Sequence, residues 1–341
     1  MTRLAGIAPA LVLALALPGC AVSTHLRSSD TARIQGRTYV VTGASSGFGR
    51  GVATRLGRLG ANVVVAARRT AVLEEVAADV RAGGGQALVV TADISRAEDV
   101  ERLAEAAVAR FGRIDVWINN AGVATIGAFT QTPAADHARV IDVNLKGVIY
   151  GTHAAIGRFV AQGAGTVVNV GSVESLVPLP YQASYSASKH GVLGLGRALN
   201  EEMRLLHHKQ VKVVTVMPWA ADTPFWQHAG NTTGKRPRMI LMDRAQKVAD
   251  AIVWASVHPR EELPVGFKAQ AAISGHNLFP DLAEYIAAEI YHDVQIHDAP
   301  PGANGPGNLY EPVDEGTGIE GGNIERVRAE EMVRKAAAQP R

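Results

Sequence analysis

The sequence predicts an α/β fold in which a doubly wound parallel sheet carries helices on both faces. Two observations lead to this prediction. Short apolar runs that are typical of buried strands alternate with longer segments of helical periodicity. The first such run also ends in a glycine-rich turn that leads directly into a helix. With 341 residues, of which 47% are hydrophobic and 19% charged, the chain can bury a sizeable core.

The predicted elements alternate between strand and helix from residue 38 to residue 217. Strands are predicted at 38–42, 62–67, 86–91, 114–119, 165–171 and 211–217. Helices are predicted at 47–59, 70–82, 96–111, 133–162 and 184–207. A helix at 244–257 and a strand at 263–266 complete the sheet. In a sheet of this kind, ligands bind at the carboxyl ends of the strands.

The chain divides into three parts. Residues 1–25 are predicted to be a signal peptide or membrane anchor, residues 34–276 a single domain, and residues 277–341 a helical and extended tail. Within the domain, residues 224–242 are predicted to form a mobile flap beside the substrate. The tail is rich in Gly, Asn and Pro between 300 and 322, which predicts extended chain, and residues 324–338 are predicted to form a loosely attached charged helix.

The turn after the first strand reads Gly43-Ala44-Ser45-Ser46-Gly47-Phe48-Gly49. Glycines allow a tight turn and let the main chain approach a pyrophosphate, which then lies at the N-terminus of the following helix. The same letters fit Gly-x-Ser-x-Gly, the nucleophile turn of hydrolases, and a turn without a ligand is the plainest alternative. The hydrolase interpretation is disfavoured because it leaves Gly49, Tyr185 and Lys189 without a joint role.

Tyr185 and Lys189 are one helical turn apart, so their side chains project from one face of the predicted helix. A phenol has an unperturbed pKa of about 10, and a neighbouring ammonium is expected to lower this pKa. Such a tyrosine can exchange a proton with a carbonyl or an alcohol near neutral pH. Ser172 is available to hydrogen-bond the same substrate oxygen. A solvated Tyr–Lys pair without function is the alternative for this motif taken alone.

Taken together, these motifs resemble those of the short-chain dehydrogenase/reductase family, in its compact single-domain branch, from about Ile34 to His276. They stand in the order of the family: Thr42-Gly43-x-x-x-Gly47-x-Gly49, Asp93, Asn119-Asn120-Ala121-Gly122, Asn144, Ser172 and Tyr185-x-x-x-Lys189. The resemblance implies an NAD(P)-dependent oxidoreductase that interconverts a carbonyl and a secondary alcohol by hydride transfer. It also implies a Rossmann-type sheet.

The resemblance assigns a role to each matching residue. Tyr185 would be the general acid/base, Lys189 would lower its pKa and bind the nicotinamide ribose, and Ser172 would orient the substrate oxygen. Asn144 would hold a water of the proton relay, with helix capping as its structural alternative. Tyr185 and Lys189 would also contact the cofactor, together with Thr42, Gly43, Ser45, Ser46, Gly47, Phe48, Gly49, Arg68, Asp93, Asn120, Ala121, Gly122, Pro218 and Thr223.

The end of the second strand favours NADP(H) over NAD(H). An NAD-selective site places an acidic residue there to accept from the ribose 2′-hydroxyl, whereas a 2′-phosphate requires a cation. In this chain Ala67 takes the place of the acid and Arg68 follows it. An arginine can meet a phosphate with paired donors. A solvated Arg68 or Arg69 that opens the next helix is the alternative.

The N-terminus predicts membrane association. An apolar run from Leu4 to Leu17 fits a signal peptide better than a membrane span. The following Leu17-Pro18-Gly19-Cys20 resembles a bacterial lipoprotein cleavage box, which implies lipidation of Cys20. Because NADP(H) is maintained in the cytosol, three alternatives stay open. They are an uncleaved cytoplasmic anchor, a translation start placed too early, and export, either with a changed role or with the cofactor inside the folded protein.

The remaining expectations concern partners. A net charge of +2 gives no basic stripe for nucleic acid, so the predicted partner is a small-molecule carbonyl or alcohol. The predicted 184–207 helix carries small residues that allow close contact with another helix. Since members of the family often associate along this helix, a homo-oligomer is expected. A non-catalytic cofactor-binding scaffold at the membrane is the competing function, motivated by Cys20 and the long tail. It is disfavoured because all four catalytic positions are present.

Overall fold

The structure, a computed structural model, describes residues 22–337. Its centre is a seven-stranded parallel sheet with the order β3-β2-β1-β4-β5-β6-β7. A ligand crevice is expected between β1 and β4, where the order reverses. The strands are β1 (Thr38–Thr42), β2 (Asn62–Ala67), β3 (Gln86–Thr91), β4 (Val116–Asn119), β5 (Gly165–Val170), β6 (Val211–Pro218) and β7 (Glu262–Val265).

Helices cover both faces of this sheet, which confirms the predicted α/β fold. They are α1 (Ser28–Ile34), α2 (Gly47–Arg58), α3 (Thr70–Ala82), α4 (Ala97–Phe111), α5 (Ala134–Ile141), α6 (Gly147–Gln162), α7 (Ala183–Leu205), α8 (Phe225–His228), α9 (Ala245–Val257), α10 (Gly266–Leu278), α11 (Pro280–His292) and α12 (Asn323–Ala337).

Successive side chains of each strand point to opposite faces of the sheet, so the protein has two apolar cores, one on each face. In β1, the side chains of Tyr39 and Val41 belong to one buried cluster, which α2, α3 and α9 complete. The side chain of Val40 points to the opposite face and belongs to a second cluster, formed with α4, α6 and α7. Because successive residues of a strand face opposite sides, a strand buried on both faces must be apolar throughout. The run Tyr39-Val40-Val41 meets this requirement, and the carboxyl end of the strand reaches the crevice.

The predicted helix at 133–162 is interrupted, contrary to expectation. Residues Asp142–Lys146 form a π-helical turn between α5 and α6, and the N–H of Gly147 donates to the carbonyl of Asp142. Such a turn inserts one extra residue into the helix, and π-turns are frequent at functional sites. Asn144 lies in the middle of it and is fully buried.

Ordered chain continues past both bounds of the predicted domain. The predicted anchor at 1–25, with Cys20, lies almost entirely outside the described residues, but Val22 and Leu26 pack against the first core cluster. At the other end, α10 crosses the predicted boundary at residue 276 and continues to Leu278. None of the helices between residues 22 and 337 is long and apolar enough to cross a membrane.

The last helix is firmly attached, so the prediction of a loose charged helix is wrong. In α12, the guanidinium of Arg326 donates to the carbonyl of Pro237 at 2.8 Å. Glu331 lies 3.4 Å from the guanidinium of Arg238, whose side chain is only 1% exposed. Glu325 pairs with Arg244 at the surface. The charges of this helix therefore face partners on the domain, which the composition of the segment alone did not indicate.

Candidate active site

The glycine turn after β1 is braced from β4 and from the loop that follows it. The hydroxyl of Thr42 accepts from the main-chain N–H groups of Asn120 (3.0 Å) and Ala121 (3.2 Å). It donates to the carbonyl of Ile118 at 3.2 Å. The side-chain amide of Asn120 donates to the carbonyl of Thr42 at 2.8 Å. Thr42 and Asn120, both predicted to contact the cofactor, therefore tie the carboxyl ends of β1 and β4 together.

The turn requires its glycines. Gly43 and Gly47 have positive φ angles of 66° and 54°, a conformation that other residues rarely adopt. A Cβ atom on Gly49 would overlap the carbonyl oxygen of Gly43. The first turn of α2 can therefore lie directly against the end of β1, with its N–H groups at the crevice. This geometry is the one that a pyrophosphate-binding turn needs.

Asn144 fixes the π-turn to the loop that follows β4. Its side-chain oxygen accepts from the N–H of Val123 at 2.8 Å, and its amide donates to the carbonyl of Val123 at 2.8 Å. The amide also lies 3.2 Å from the hydroxyl of Ser188 on α7. Asn144 thus joins the π-turn, the loop after β4 and the helix that carries Tyr185.

Lys189 and Tyr185 lie side by side in the cavity, but the ammonium does not bond the phenol. The Nζ atom of Lys189 donates to the carbonyl of Val170 at 2.8 Å and lies 5.4 Å from the centre of the Tyr185 ring. Burial lowers the pKa of Lys189 to about 8, because the low-polarity surroundings disfavour the charged form.

The expected lowering of the Tyr185 pKa is wrong for the protein without ligand. Burial raises this pKa, and the carboxyl of Glu174 adds to the rise, whereas the hydroxyl of Ser172 opposes it. The physical reason is that Lys189 directs its charge at the carbonyl of Val170 and leaves the desolvation of the phenol uncompensated. The hydroxyl of Ser172 also accepts from the N–H of Glu174 at 3.1 Å, which fixes its position at the cavity wall.

Glu174 is a site residue that sequence reasoning missed. Its side chain is buried, lines the cavity beside the Tyr–Lys pair and accepts a hydrogen bond of 2.6 Å from the hydroxyl of Ser186. Burial raises the pKa of this carboxyl to about 8, although the charge of Lys189 opposes the rise. An acidic residue two positions after Ser172, on the short helical turn Val173–Ser175, was the available signal.

The predicted 2′-phosphate arginines already bond the main chain of the C-terminal tail. The guanidinium of Arg68 donates to the carbonyls of Asn308 (2.6 Å) and Tyr310 (2.8 Å). Arg69 donates to the carbonyl of Val313 at 2.7 Å and to the hydroxyl of Ser45 at 3.1 Å. We call residues 308–321 the strap. Its contacts lie at the end of the crevice beside β2, whereas the sequence predicted only extended chain for this segment.

The strap also reaches the glycine turn. The N–H of Gly47 donates to the carbonyl of Gly318 at 2.9 Å, and the guanidinium of Arg50 donates to the carbonyl of Thr317 at 3.1 Å. No periodic pattern marks this segment in the sequence, and its contacts use main-chain oxygens, which every residue type has. Sequence reasoning therefore had no signal by which to place it.

Asp93, which the resemblance assigns to the cofactor, lies on the cavity wall, and its carboxylate is paired. It accepts from Arg139 at 2.8 Å and from the hydroxyl of Ser95 at 2.7 Å. These hydrogen bonds outweigh desolvation and lower the pKa of Asp93. Arg139 itself donates to the carbonyl of Leu309 in the strap at 2.8 Å. The aspartate thus positions an arginine that in turn holds the strap.

The predicted residues converge on one cavity of 1550 Å³. Thr42, Gly49 and Asn144 stand behind its wall, where they hold the lining in place. Thr223 lies beside Gly47, since a Cβ atom on that glycine would be 3.5 Å from the Thr223 side chain. The predicted residues on the wall are Gly43, Ser45, Ser46, Gly47, Phe48, Arg68, Asp93, Asn120, Ala121, Gly122, Ser172, Tyr185, Lys189, Pro218 and Thr223.

Comparison with known sequences gives matches along most of the chain. Residues 37–234 match the family model described as short chain dehydrogenase. The uncharacterized oxidoreductase YxnA of Bacillus subtilis is 32% identical over 325 residues, which cover 94% of this chain and 89% of that protein. The 3beta-hydroxysteroid dehydrogenase 1 of Eggerthella lenta is 37% identical over 193 residues, covering 56% of this chain and 73% of that protein.

Comparison with solved structures gives the same picture. A short chain dehydrogenase/reductase from Burkholderia phymatum in complex with NAD superposes with a TM-score of 0.67 at 27% identity, covering 73% of this chain and 95% of that one. An alcohol dehydrogenase from Thermococcus sibiricus complexed with 5-hydroxy-NADP gives a TM-score of 0.58 at 25% identity, covering 67% of this chain and 95% of that one.

Proposed function

The chain belongs to the short-chain dehydrogenase/reductase family, and on that premise we propose that it is an NADP(H)-dependent carbonyl reductase that forms secondary alcohols. The observation that carries this proposal is the convergence of Ser172, Tyr185 and Lys189 with the glycine turn on one cavity. When bound, the nicotinamide supplies the hydride, a step that no side chain can perform. The chain's own residues would bind the cofactor, orient the substrate and transfer the proton.

The crevice fits a dinucleotide. At the turn, the space in front of the main chain is available only because Gly43, Gly47 and Gly49 have no side chains. The cavity of 1550 Å³ exceeds the range of about 300–1,000 Å³ that is usual for a small-molecule site, and it therefore has room for a nucleotide and a substrate. Ser45 to Phe48 would hold the pyrophosphate, and Lys189 with Asn120 would hold the nicotinamide half.

Tyr185 supports proton donation more than proton abstraction. Its raised pKa keeps the hydroxyl protonated at neutral pH, so the phenol can give its proton to a substrate oxygen while Ser172 holds that oxygen. Lys189, with a pKa of about 8, is largely protonated at pH 7 and can return a proton to the tyrosine through a water. We therefore propose that Tyr185 acts as the general acid when the carbonyl is reduced.

Asn144 is a positioning residue in this proposal. Its side chain joins the π-turn to Val123 and Ser188, and a Cβ atom on Gly122 would lie 3.5 Å from its oxygen and 3.9 Å from the Nζ of Lys189. This proximity supports a water between the π-turn and Lys189. Such a water would connect the ammonium to solvent and complete the proton relay.

The preference for NADP(H) rests on the end of β2. Ala67 leaves no carboxylate to accept from a 2′-hydroxyl, and the Arg68 guanidinium lies on the cavity wall. Two strap carbonyls accept from this guanidinium, which leaves some of its five N–H donors for a phosphate. The strap carbonyls hold the arginine in one orientation, and that preorganisation favours a 2′-phosphate over a 2′-hydroxyl.

The substrate is proposed to be a largely apolar ketone. Val173, Leu179, Phe225, Trp226 and Met239 line the cavity around the catalytic residues. The ring of Phe225 lies 5.7 Å from the ring of Tyr185. The name of the Eggerthella lenta relative, a hydroxysteroid dehydrogenase, agrees with a bulky apolar substrate.

The test is turnover of a panel of ketones, from small to polycyclic, by purified protein with NADPH or NADH. Oxidation of NADPH with at least one apolar ketone, and its loss in Tyr185→Phe, would support the proposal. Binding of NADPH without reduction of any ketone or aldehyde, together with no oxidation of any alcohol by NADP+, would favour the competing scaffold function.

We further propose membrane association through lipidated Cys20 and a homo-oligomer formed along α7. Mass spectrometry of the mature N-terminus from membrane and soluble fractions tests the first proposal. An unlipidated Cys20 in every fraction would contradict it. Light scattering of the purified protein tests the second, and a monomer at all concentrations would contradict it.

A further inference from the structure

The strap follows the outer edge of the nucleotide crevice along its length. It starts at Asn308 beside Arg68, passes Arg69 at Val313 and reaches the glycine turn at Gly318. Its path thus runs from the proposed adenosine end to the proposed pyrophosphate end. Asn308, Pro312 and Val313 form part of the cavity wall.

Both ends of the strap are anchored in the folded domain. Near the start, the side chain of Leu309 is fully buried and belongs to the second core cluster. Near the end, the carboxylate of Glu320 accepts from the N–H groups of Ala245 (3.1 Å) and Gln246 (3.3 Å) at the start of α9. A carboxylate at this place also interacts favourably with the helix dipole.

The middle of the strap is held from two opposite sides. On the nucleotide side, four arginines donate to its carbonyls, namely Arg50, Arg68, Arg69 and Arg139. On the flap side, the Nε2 of His228 donates to the carbonyl of Glu315 at 2.9 Å, and the N–H of Asn308 donates to the carbonyl of His228 at 2.8 Å. The strap therefore bridges the glycine turn and the flap, which are otherwise the two lips of the crevice.

We propose that the strap encloses the adenosine and pyrophosphate half of the bound NADP(H), so that the nucleotide leaves only when the strap opens. This inference rests on the proposed function, since it needs a nucleotide in the crevice. Opening must expose Leu309 and break the arginine and Gly47 hydrogen bonds together, which makes it a cooperative local unfolding event. Each reduction leaves NADP+ in the crevice, so the strap must open once per turnover for NADPH to replace it.

The first experiment loosens either end of the strap. Full-length protein is loaded with NADPH and mixed with a large excess of NADP+, and release is followed by the fluorescence of bound NADPH. Leu309→Ser is expected to speed release by at least about tenfold, because it removes a buried anchor. Glu320→Ala is expected to speed it by roughly threefold to tenfold, because it removes a helix cap. The exposed Leu205→Ser and Glu105→Ala are the matched controls and should release NADPH as the unaltered protein does.

The second experiment needs no substitution, so it decides the question even if both strap variants fail to fold. Hydrogen–deuterium exchange of residues 306–321 is measured in the unaltered protein with and without saturating NADP+. Enclosure predicts slower exchange of this segment when NADP+ is bound.

The outcomes separate the two proposals. Equal release rates in the unaltered protein and the folded strap variants, or unchanged exchange of the strap on binding NADP+, would overturn enclosure while the proposed function stands. Failure of the unaltered protein to bind NADPH or NADP+ at all would overturn the proposed function instead.

Discussion

The two halves of the crevice are built in different ways. In the catalytic half, Ser172 follows the end of β5, and Tyr185 and Lys189 stand on α7. The Lys189 ammonium donates to the carbonyl of Val170 at the end of β5. In the adenosine half, Arg68, Arg69 and Arg139 are oriented by carbonyls of the strap, a segment without regular structure from the far end of the chain. The difference shows that the catalytic half is recognisable from side chains at fixed spacing in the sequence. The geometry of the other half depends on where the main chain of the strap runs.

The largest expected effect breaks the catalytic half alone. Tyr185→Phe removes only the hydroxyl, and we expect carbonyl reduction to fall by roughly 10²–10⁴-fold, the usual size of general acid catalysis. The affinity for NADPH, measured by fluorescence titration, should stay within about threefold of the original, since the predicted nucleotide contacts of the other half remain. A loss of activity below about tenfold would contradict the role of Tyr185 as the acid.

The second prediction breaks the adenosine half. Arg68→Ala is expected to weaken NADPH binding by roughly 10–100-fold, because a hydrogen bond to a charged group contributes about 1.5–3 kcal/mol. NADH binding should change little, since NADH has no 2′-phosphate. Titration with both nucleotides checks this, with the exposed Arg102→Ala as the matched control. Equal loss for NADPH and NADH would mean that Arg68 serves the strap rather than the phosphate.

The third prediction concerns how Glu174, in the catalytic half, affects the pH dependence of carbonyl reduction. In Glu174→Gln the carboxyl that supports the charge of Lys189 is gone, so the pKa of Lys189 should fall below about 8. The decline of carbonyl reduction at alkaline pH should therefore move to lower pH. The measurement is the pH profile of kcat/KM, with activity at pH 7 expected within about threefold, because the neutral amide resembles the neutral acid. If the alkaline decline of kcat/KM occurs at the same pH in the variant, Glu174 does not influence the pKa of Lys189.

The last prediction concerns the effect of the same residue on stability. The folded-state pKa of Glu174, about 8, lies above its ordinary value of 4.5, so its contribution is fully present below that value and is lost as pH rises towards 8. Glutamine cannot ionise, so Glu174→Gln should not lose this stability. The free energy of unfolding of the variant minus that of the original protein should therefore rise by roughly 3 kcal/mol from pH 5 to pH 8. Urea unfolding at both pH values checks this. A constant difference would show that Glu174 does not titrate in this window.

The sequence predicted the elements around the site well, because local patterns determine them. The strands at 38–42, 62–67 and 86–91 were predicted with the bounds that the structure has, since valine-rich runs between turns leave little freedom. The π-turn at 142–146 was not predicted, because its extra residue depends on the bonds of Asn144 to Val123 and not on helical periodicity.

The position of the strap and the pKa values of the site could not be predicted from the sequence, for a different reason. Arg50 and Thr317 are 267 residues apart in sequence, and their contact uses a carbonyl group, so neither residue type indicates it. The pKa of Tyr185 likewise depends on burial and on Glu174, which only the packed structure brings beside it. Spacing along a helix correctly placed Lys189 near the phenol but not the direction of its ammonium.

The position of the strap so late in the chain has a consequence for how the protein is made. During synthesis, β1 to β7 leave the ribosome before residue 308 does, so the sheet and the glycine turn can assemble while the crevice is still uncovered. Residues 308–321 then complete the enclosure. The nascent protein therefore passes through an open stage, to which the finished protein can return only by local unfolding.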